Sequence, residues 1–242
     1  VMDRPIRTAM FLAAGLGTRM RPLSLTTPKP LIEVAGKALM DYLLDDAIAA
    51  GIERAVVNVH YLPEQVETHL AQKSGIEILI SDEREELLET GGAIVKARDL
   101  LPDEAIFMVN TDAFWVKPSS NPFHLLSAAY DPEIMDDLLL LADTSRSLGY
   151  DGKGDFNLTE DGRIERRGER PSVPWAYAGV RVTKPGLYDG EACRPFSANL
   201  IWNKSLEAGR LYGLPLDAQW MHVGRPETIA EVERWIEDNP GE

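Results

Sequence analysis

Apolar runs of strand length alternate with helix-spaced segments through the first half of the chain. Ile6 to Leu12 reads as a buried strand, Leu39 to Ala50 as a helix stopped by Gly51, and Glu53 to His60 (ERAVVNVH) as a second strand. Pro63 opens a helix that runs to about Lys73, before Gly75, and Ile76 to Ser81 (IEILIS) is a third strand. Gly91 to Leu101 (GGAIVKARDLL) predicts a short helix ended by Pro102. Glu104 to Asn110 (EAIFMVN) predicts a fourth strand that finishes at Asn110-Thr111-Asp112. Strands separated by helices need crossover connections. The order therefore predicts an α/β fold with a mainly parallel sheet covered on both faces.

The second half is less regular. Phe123 to Tyr130 has helical spacing and Asp136 to Asp143 (DDLLLLAD) is a buried strand. Ser145 to Arg170 is polar and glycine-rich, and within it DFNLTEDGRIERR reads as a hairpin turning at Asp161-Gly162. Trp175 to Val182 is a strand, Ser197 to Gly209 a helix, and Leu211 to Leu216 and Gln219 to Val223 are strands. Pro226 sits in the first turn of a closing helix that reaches Asp238. Without repeats or a long linker, residues 1–242 are expected to form one domain, with a small inserted β-hairpin region near 145–182.

Composition narrows the partners. Hydrophobic residues at 44% and charged residues at 26% give the balance of an ordinary globular protein of 242 residues. A formal net charge of −14 argues against nucleic acid or an anionic membrane as partner, since both need basic surface. Cys193 is the single cysteine, so neither an intrachain disulfide nor a cysteine-based zinc site is available, as suits a reducing compartment. No apolar run approaches the roughly 20 residues of a membrane span. Val1-Met2-Asp3-Arg4-Pro5 lacks the cation-then-apolar order of a signal peptide, and a cytoplasmic location is expected.

Against this acidic background one loop gathers cations. LAAGLGTRMRPLSLTTPKPL, Leu12 to Leu31, leaves the carboxyl end of the first strand with Gly15, Gly17, Arg19, Arg21 and Lys29. Such strand ends are where parallel sheets bind ligands. The glycines let a phosphate approach the main chain, the arginines offer forked donors, and Lys29 offers a compact charge between Pro28 and Pro30, which stiffen it. Two familiar phosphate motifs are excluded. The dinucleotide fingerprint fails at Met20 and Pro22, and the P-loop fails because Thr18 and Arg19 follow Gly17. Asp112, just past the fourth strand, suits either a metal ligand or a turn cap.

The loop closely resembles the signature G-x-G-T/S-R-x-R-P-L-T-x-x-x-P-K-P of sugar-1-phosphate nucleotidylyltransferases. ETGGAI (Glu89 to Ile94), VNTDAF (Val109 to Phe114), GDF (Gly154 to Phe156), YAGV (Tyr177 to Val180) and WMHVGRPE (Trp220 to Glu227) extend the likeness over nearly the whole chain. Within that family the chain is most similar to the short N-acetylmuramate-1-phosphate uridylyltransferases of cell-wall recycling, and also resembles mannose- and heptose-1-phosphate guanylyltransferases. The resemblance implies a Rossmann-like, doubly wound, GT-A-like nucleotidyltransferase fold. In it residues 1–120 form the nucleotide-binding half and 121–242 the sugar-binding half. It further implies attack by a sugar phosphate oxygen on the α-phosphorus of a nucleoside triphosphate, with loss of pyrophosphate. The alternatives are GTP with a mannose or heptose phosphate, and a non-catalytic nucleotide-sugar-binding relative.

Carried onto this sequence, the resemblance assigns catalysis to Arg19, Lys29 and Asp112, with Arg21 a weaker support. It assigns nucleotide binding to Leu12, Ala13, Ala14, Gly15, Gly17, Thr18, Glu89, Gly91 and Gly92, and sugar binding to Asn110, Gly154, Asp155, Tyr177 and Gly179. Magnesium is the implied cofactor, held by Asp112. His222 stands where the family usually places a second metal carboxylate, and imidazole suits Mn better than Mg. His222 is accordingly read as a metal ligand, a phosphate contact or a strand-end residue. Glu89 is open between base recognition and a solvated acidic loop with Asp82, Glu83, Glu85 and Glu86. The family's acid-lysine pair before Gly179 is absent from Pro171-Ser172-Val173-Pro174, which leaves room for a bulky sugar substituent such as a lactyl group.

Overall fold

The alternation of side chains along the first strand divides the core in two. In β1 (Thr8–Leu12) Ala9 and Phe11 enter one apolar cluster, while Met10 enters another on the opposite face. The computed structural model describes residues 5–240, and the N-terminal tetrapeptide read above for targeting lies outside them. A two-residue hairpin, β2 (Glu33–Val34) and β3 (Lys37–Ala38), leads into α1 (Leu39–Ala49). Then follow β4 (Arg54–Val59), α2 (Pro63–Leu70), β5 (Glu77–Asp82), α3 (Glu89–Lys96) and β6 (Ile106–Asn110). In β4 and β6 the same period recurs: Ala55, Val57, Phe107 and Val109 join the first cluster with α1, and Val56, Ile106 and Met108 join the second with Ala93 and Ile94 of α3. Helices on both faces are what the sequence predicted, and α3 begins two residues earlier than its glycines suggested.

The rest of the chain comprises β7 (Ala113–Val116), α4 (Pro122–Ala129), β8 (Asp137–Asp143), β9 (Phe156–Leu158), β10 (Ile164–Arg166), β11 (Trp175–Thr183), α5 (Asn199–Glu207), β12 (Leu211–Pro215), β13 (Gln219–His222) and α6 (Pro226–Asp238). One nine-stranded sheet runs β10-β9-β11-β6-β1-β4-β5, with β8 on β11 and β12 on β8. β5, β4, β1 and β6 are parallel, whereas β11 returns antiparallel beside β6 and again beside β8. The sheet is mixed, with its parallel half first and a largely antiparallel half beyond β6. The β9–β10 hairpin turns where Asp161-Gly162 predicted, Gly162 having φ +83°.

Two pieces escaped the pattern because they are too short to show a period. β2–β3 has two residues per strand. β7 pairs antiparallel with β13 in a separate two-stranded sheet, His222 opposite Ala113. That small sheet ties the segment after β13 to the loop after β6, since Val223 N–H donates to the Asp112 carbonyl at 3.1 Å. Phe107, 1% exposed, packs edge-on against Phe123 of α4 at 5.0 Å between ring centroids. Truncation there opens a cavity under the active half of the sheet. Phe107→Ala is expected to lower unfolding free energy by about 3–5 kcal/mol, read from urea denaturation midpoints.

Candidate active site

The loop leaving β1 is locked before it reaches the ligand side of the sheet. Ala13 N–H donates to Asn58 Oδ1 at 2.7 Å and the Thr111 hydroxyl donates to the Leu12 carbonyl at 2.8 Å, so β1, β4 and β6 share one rim. Gly17 adopts φ +62°, and a Cβ there would lie 3.1 Å from Lys29 Cβ and 3.2 Å from Ser24 Cβ, which accounts for glycine at this point. Its carbonyl accepts from Met20 N–H at 2.9 Å and the Ser24 hydroxyl at 2.7 Å. Met20 is wholly buried while its neighbours Arg19 and Arg21 are exposed, so the turn is pinned by an apolar anchor between two cations. Arg19 faces the ligand cavity; Arg21 does not line it.

Lys29 approaches from the short helical turn Lys29–Leu31, closed by Leu31 N–H to the Pro28 carbonyl at 2.9 Å. Its Nζ lies 3.0 Å from Asp112 Oδ2, with the side chains 13% and 30% exposed. Burial acts to raise the Asp112 pKa, yet Lys29, with His222 and Arg19 nearby, outweighs it and holds the carboxyl below its ordinary value. Arg19, Lys29 and Asp112 rim a cavity of about 520 Å³, lined also by Leu12, Ala14, Gly15, Thr18, Asn58, Glu89 and Thr90. Asn110, Thr90 and Ser197 belong at once to this cavity and to a second of about 260 Å³ that holds Asp155, Arg166 and Tyr177. Asp155 Oδ2 accepts from Tyr177 N–H at 2.9 Å, and the Tyr177 ring meets Trp202 edge-on at 5.1 Å.

Several sequence expectations end up elsewhere. Gly91 and Gly92 do not line the cavity. Both amides donate to the Phe196 carbonyl, at 2.8 and 3.3 Å, and a Cβ on either would strike the Arg194–Phe196 segment, so their small size serves helix packing. Ala13 is buried and acts through its amide. Gly154 and Gly179, at φ +77° and +92°, lie behind the second cavity against Val173 and Asn110. His222 is on β13 beside Asp112, its ring packed between Tyr150 and Trp220 and its Nδ1 3.4 Å from the Gly149 carbonyl; it is outside the cavity lining.

The acidic loop needs one correction. Glu83 is not solvated: it is 2% exposed, accepts from Asn58 Nδ2 at 2.9 Å and from Leu88 N–H at 3.1 Å, and burial pushes its carboxyl pKa up despite these donors. Glu83 therefore fixes Asn58, which in turn fixes Ala13. Sequence reading missed Asn58 although it left a signal, a lone amide inside the apolar run Val56-Val57-Asn58-Val59. Glu89 is exposed, with φ +58°, and does border the cavity.

The nucleotidyl transferase family profile matches residues 8–239. The chain belongs to the nucleotidyl transferase family. It is 44% identical over 236 residues to the N-acetylmuramate alpha-1-phosphate uridylyltransferase of Caulobacter vibrioides, covering 96% of this chain and 98% of that one. It is 30% identical over 231 residues to the mannose-1-phosphate guanylyltransferase catalytic subunit beta of Danio rerio, covering 90% of this chain and 61% of that longer protein. A UDP-glucose pyrophosphorylase solved with UDP-glucose superposes with a TM-score of 0.80 at 15% identity, covering 97% and 99% of the two chains, a likeness of fold. In this nucleotidyl transferase the cation-rimmed cavity lies at the carboxyl ends of β1 and β6. No helix among the described residues is long and apolar enough to cross a membrane.

The lowered Asp112 pKa fixes the sign of a pH effect. The stability that the Lys29 pair supplies is present above the ordinary carboxylate value, 3.8, and is lost as pH falls through the lower folded value. With divalent ions chelated, Asp112→Asn is expected to melt below wild type at pH 7, and the gap should narrow toward pH 3. A gap that ignores pH would remove the ion pair from this role.

Proposed function

We propose that this nucleotidyl transferase joins UTP and N-acetylmuramate 1-phosphate to give UDP-N-acetylmuramate and pyrophosphate. The observation that carries the chemistry is the convergence of Arg19, Lys29 and Asp112 on one cavity that opens into a second through Asn110. The choice of base and sugar rests on the 44% identity to a uridylyltransferase over nearly the full length of both chains, against 30% for the guanylyltransferase relative. A deprotonated oxygen of the sugar phosphate attacks the α-phosphorus, the bond from that phosphorus to the bridging oxygen breaks, and pyrophosphate leaves in line. The nucleophile is already an anion, so no side chain need take its proton. The protein holds two polyanions in register and neutralises the charge that spreads over the phosphoryl oxygens. Arg19 serves the triphosphate with its forked donors, and Lys29 serves the α-phosphate or the incoming phosphate.

The donor set also fits magnesium. Asp112, lining the cavity, would hold such a hard cation together with substrate phosphate oxygens, as magnesium commonly accepts. A cation held at Asp112 would supply positive charge to neutralise the phosphates. His222 lies beside Asp112 on β13, and an imidazole there in place of a carboxylate would favour Mn over Mg.

A pyrophosphate-release assay tests the reading. UTP with N-acetylmuramate 1-phosphate should outpace GTP with mannose 1-phosphate, and release only with the latter would replace it. In the same assay Arg19→Ala and Asp112→Asn should each lower turnover by about two to three decades, the size expected for one preorganised charge. Near-normal turnover would take the residue out of the site. For the metal, His222→Asp is expected to shift the ratio of turnover with Mn to turnover with Mg toward Mg; identical metal profiles would leave His222 without that role.

A further inference from the structure

The second cavity contains a cation that the chemistry above does not use. Arg166, at the end of β10, is half-buried and lines that cavity with Asp155, Phe156, Tyr177, Asn199 and Trp202. Its guanidinium is held by neutral partners alone. Nη2 donates to Asn199 Oδ1 at 2.9 Å and to Asn203 Oδ1 at 2.7 Å, Nε donates to Asn203 Oδ1 at 3.1 Å, and Cζ stands 5.7 Å from the centre of the Phe156 ring. Of the other hairpin arginines, Arg163 pairs with Asp161 and Arg170 with Glu165, while Arg167 does not line the cavity. The other arginine of this cavity, Arg181, is 1% exposed and faces the buried Asp137 at 3.4 Å. Among the described residues Arg166 has no carboxylate within 4.0 Å. The nearest acid of the cavity, Asp155, is already bound to Tyr177 N–H and remains an acceptor for sugar hydroxyls.

A positive charge fixed in a cavity by two amides and an aromatic ring, with Asp155 acting on it only across space and no carboxylate in contact, can pair with an anion. The substrate proposed above carries one. N-acetylmuramate differs from N-acetylglucosamine by a lactyl ether at O3, which ends in a carboxylate. Asn110 lines both cavities and lies two residues before Asp112, so a sugar whose C1 phosphate is at Asp112 extends its ring past Asn110 toward the hairpin. We propose that Arg166, oriented by Asn199 and Asn203, pairs with the lactyl carboxylate and is the residue that selects N-acetylmuramate 1-phosphate over sugar phosphates lacking that group. The inference rests on the substrate reading above and adds the side chain that enforces it.

The test compares N-acetylmuramate 1-phosphate with N-acetylglucosamine 1-phosphate, each with UTP, in wild type, Arg166→Ala and Arg166→Lys, alongside calorimetric titration of UTP. Arg166→Ala should raise KM for the muramate substrate roughly 10- to 100-fold, the factor carried by a charge-assisted hydrogen bond. The same variant should leave the glucosamine substrate and UTP affinity within about threefold, and Arg166→Lys should recover part of the loss. An unchanged muramate KM, or equal losses for both sugars and for UTP, would overturn the assignment of Arg166. Wild type that uses other sugar phosphates and ignores the muramate substrate would instead overturn the substrate reading, and this inference with it.

Discussion

The ion pair between Lys29 Nζ and Asp112 Oδ2, 3.0 Å long, joins two parts of the chain separated by 83 residues. One partner ends the glycine loop that follows β1 and the other follows β6. These strands are adjacent and parallel, so their carboxyl ends open on the same side and the two side chains meet there. Charge of both signs is kept in one place: a carboxylate able to hold a divalent cation, and a lysine and an arginine able to hold phosphates. The rest of the surface can stay acidic, at a formal net charge of −14, because the anions need meet cations only at this rim.

The rim is stiff because each loop is tied to a neighbour by a buried polar contact. Glu83 orders Asn58, Asn58 orders the Ala13 amide, and Thr111 reaches back to Leu12. A buried carboxylate of this kind is tolerated only when its oxygens are satisfied, and here both are. The chain thereby sets aside one acid, Glu83, to hold the loop from behind and another, Asp112, to face the ligand. Burial raises the pKa of the first and nearby cations lower that of the second.

The antiparallel half serves a different need. β11 turns back beside β6 and carries Tyr177 into the second cavity, and the β9–β10 hairpin, joined to it at Trp175, brings Asp155 and Arg166. Recognition groups here come from a hairpin and a helix packed on it, whereas the phosphate groups come from the parallel strand ends. A family that keeps one reaction and varies the sugar can change the hairpin and helix groups without disturbing the strand-end groups.

The strands and helices of the parallel half were legible in the sequence because a buried β-strand and a glycine-stopped helix leave long apolar runs with clear ends. The cationic loop was legible because its residues are contiguous from Leu12 to Leu31. Tertiary structure decided what contiguity does not carry. Glu83 read as one more solvated acid, Gly91 and Gly92 read as ligand-facing, and Arg166 was one of five arginines in the polar stretch from Ser145 to Arg170, since burial and partners depend on chain that arrives from far away. Asn199 lies 33 residues beyond Arg166, and Phe196 lies 105 beyond Gly91. Sequence fixes which groups are present and the local period that buries them. Only the packed sheet determines which carboxylate is sealed behind the loop and which guanidinium is held by amides in the second cavity, because polar pairing acts over ångströms of space and is blind to distance along the chain.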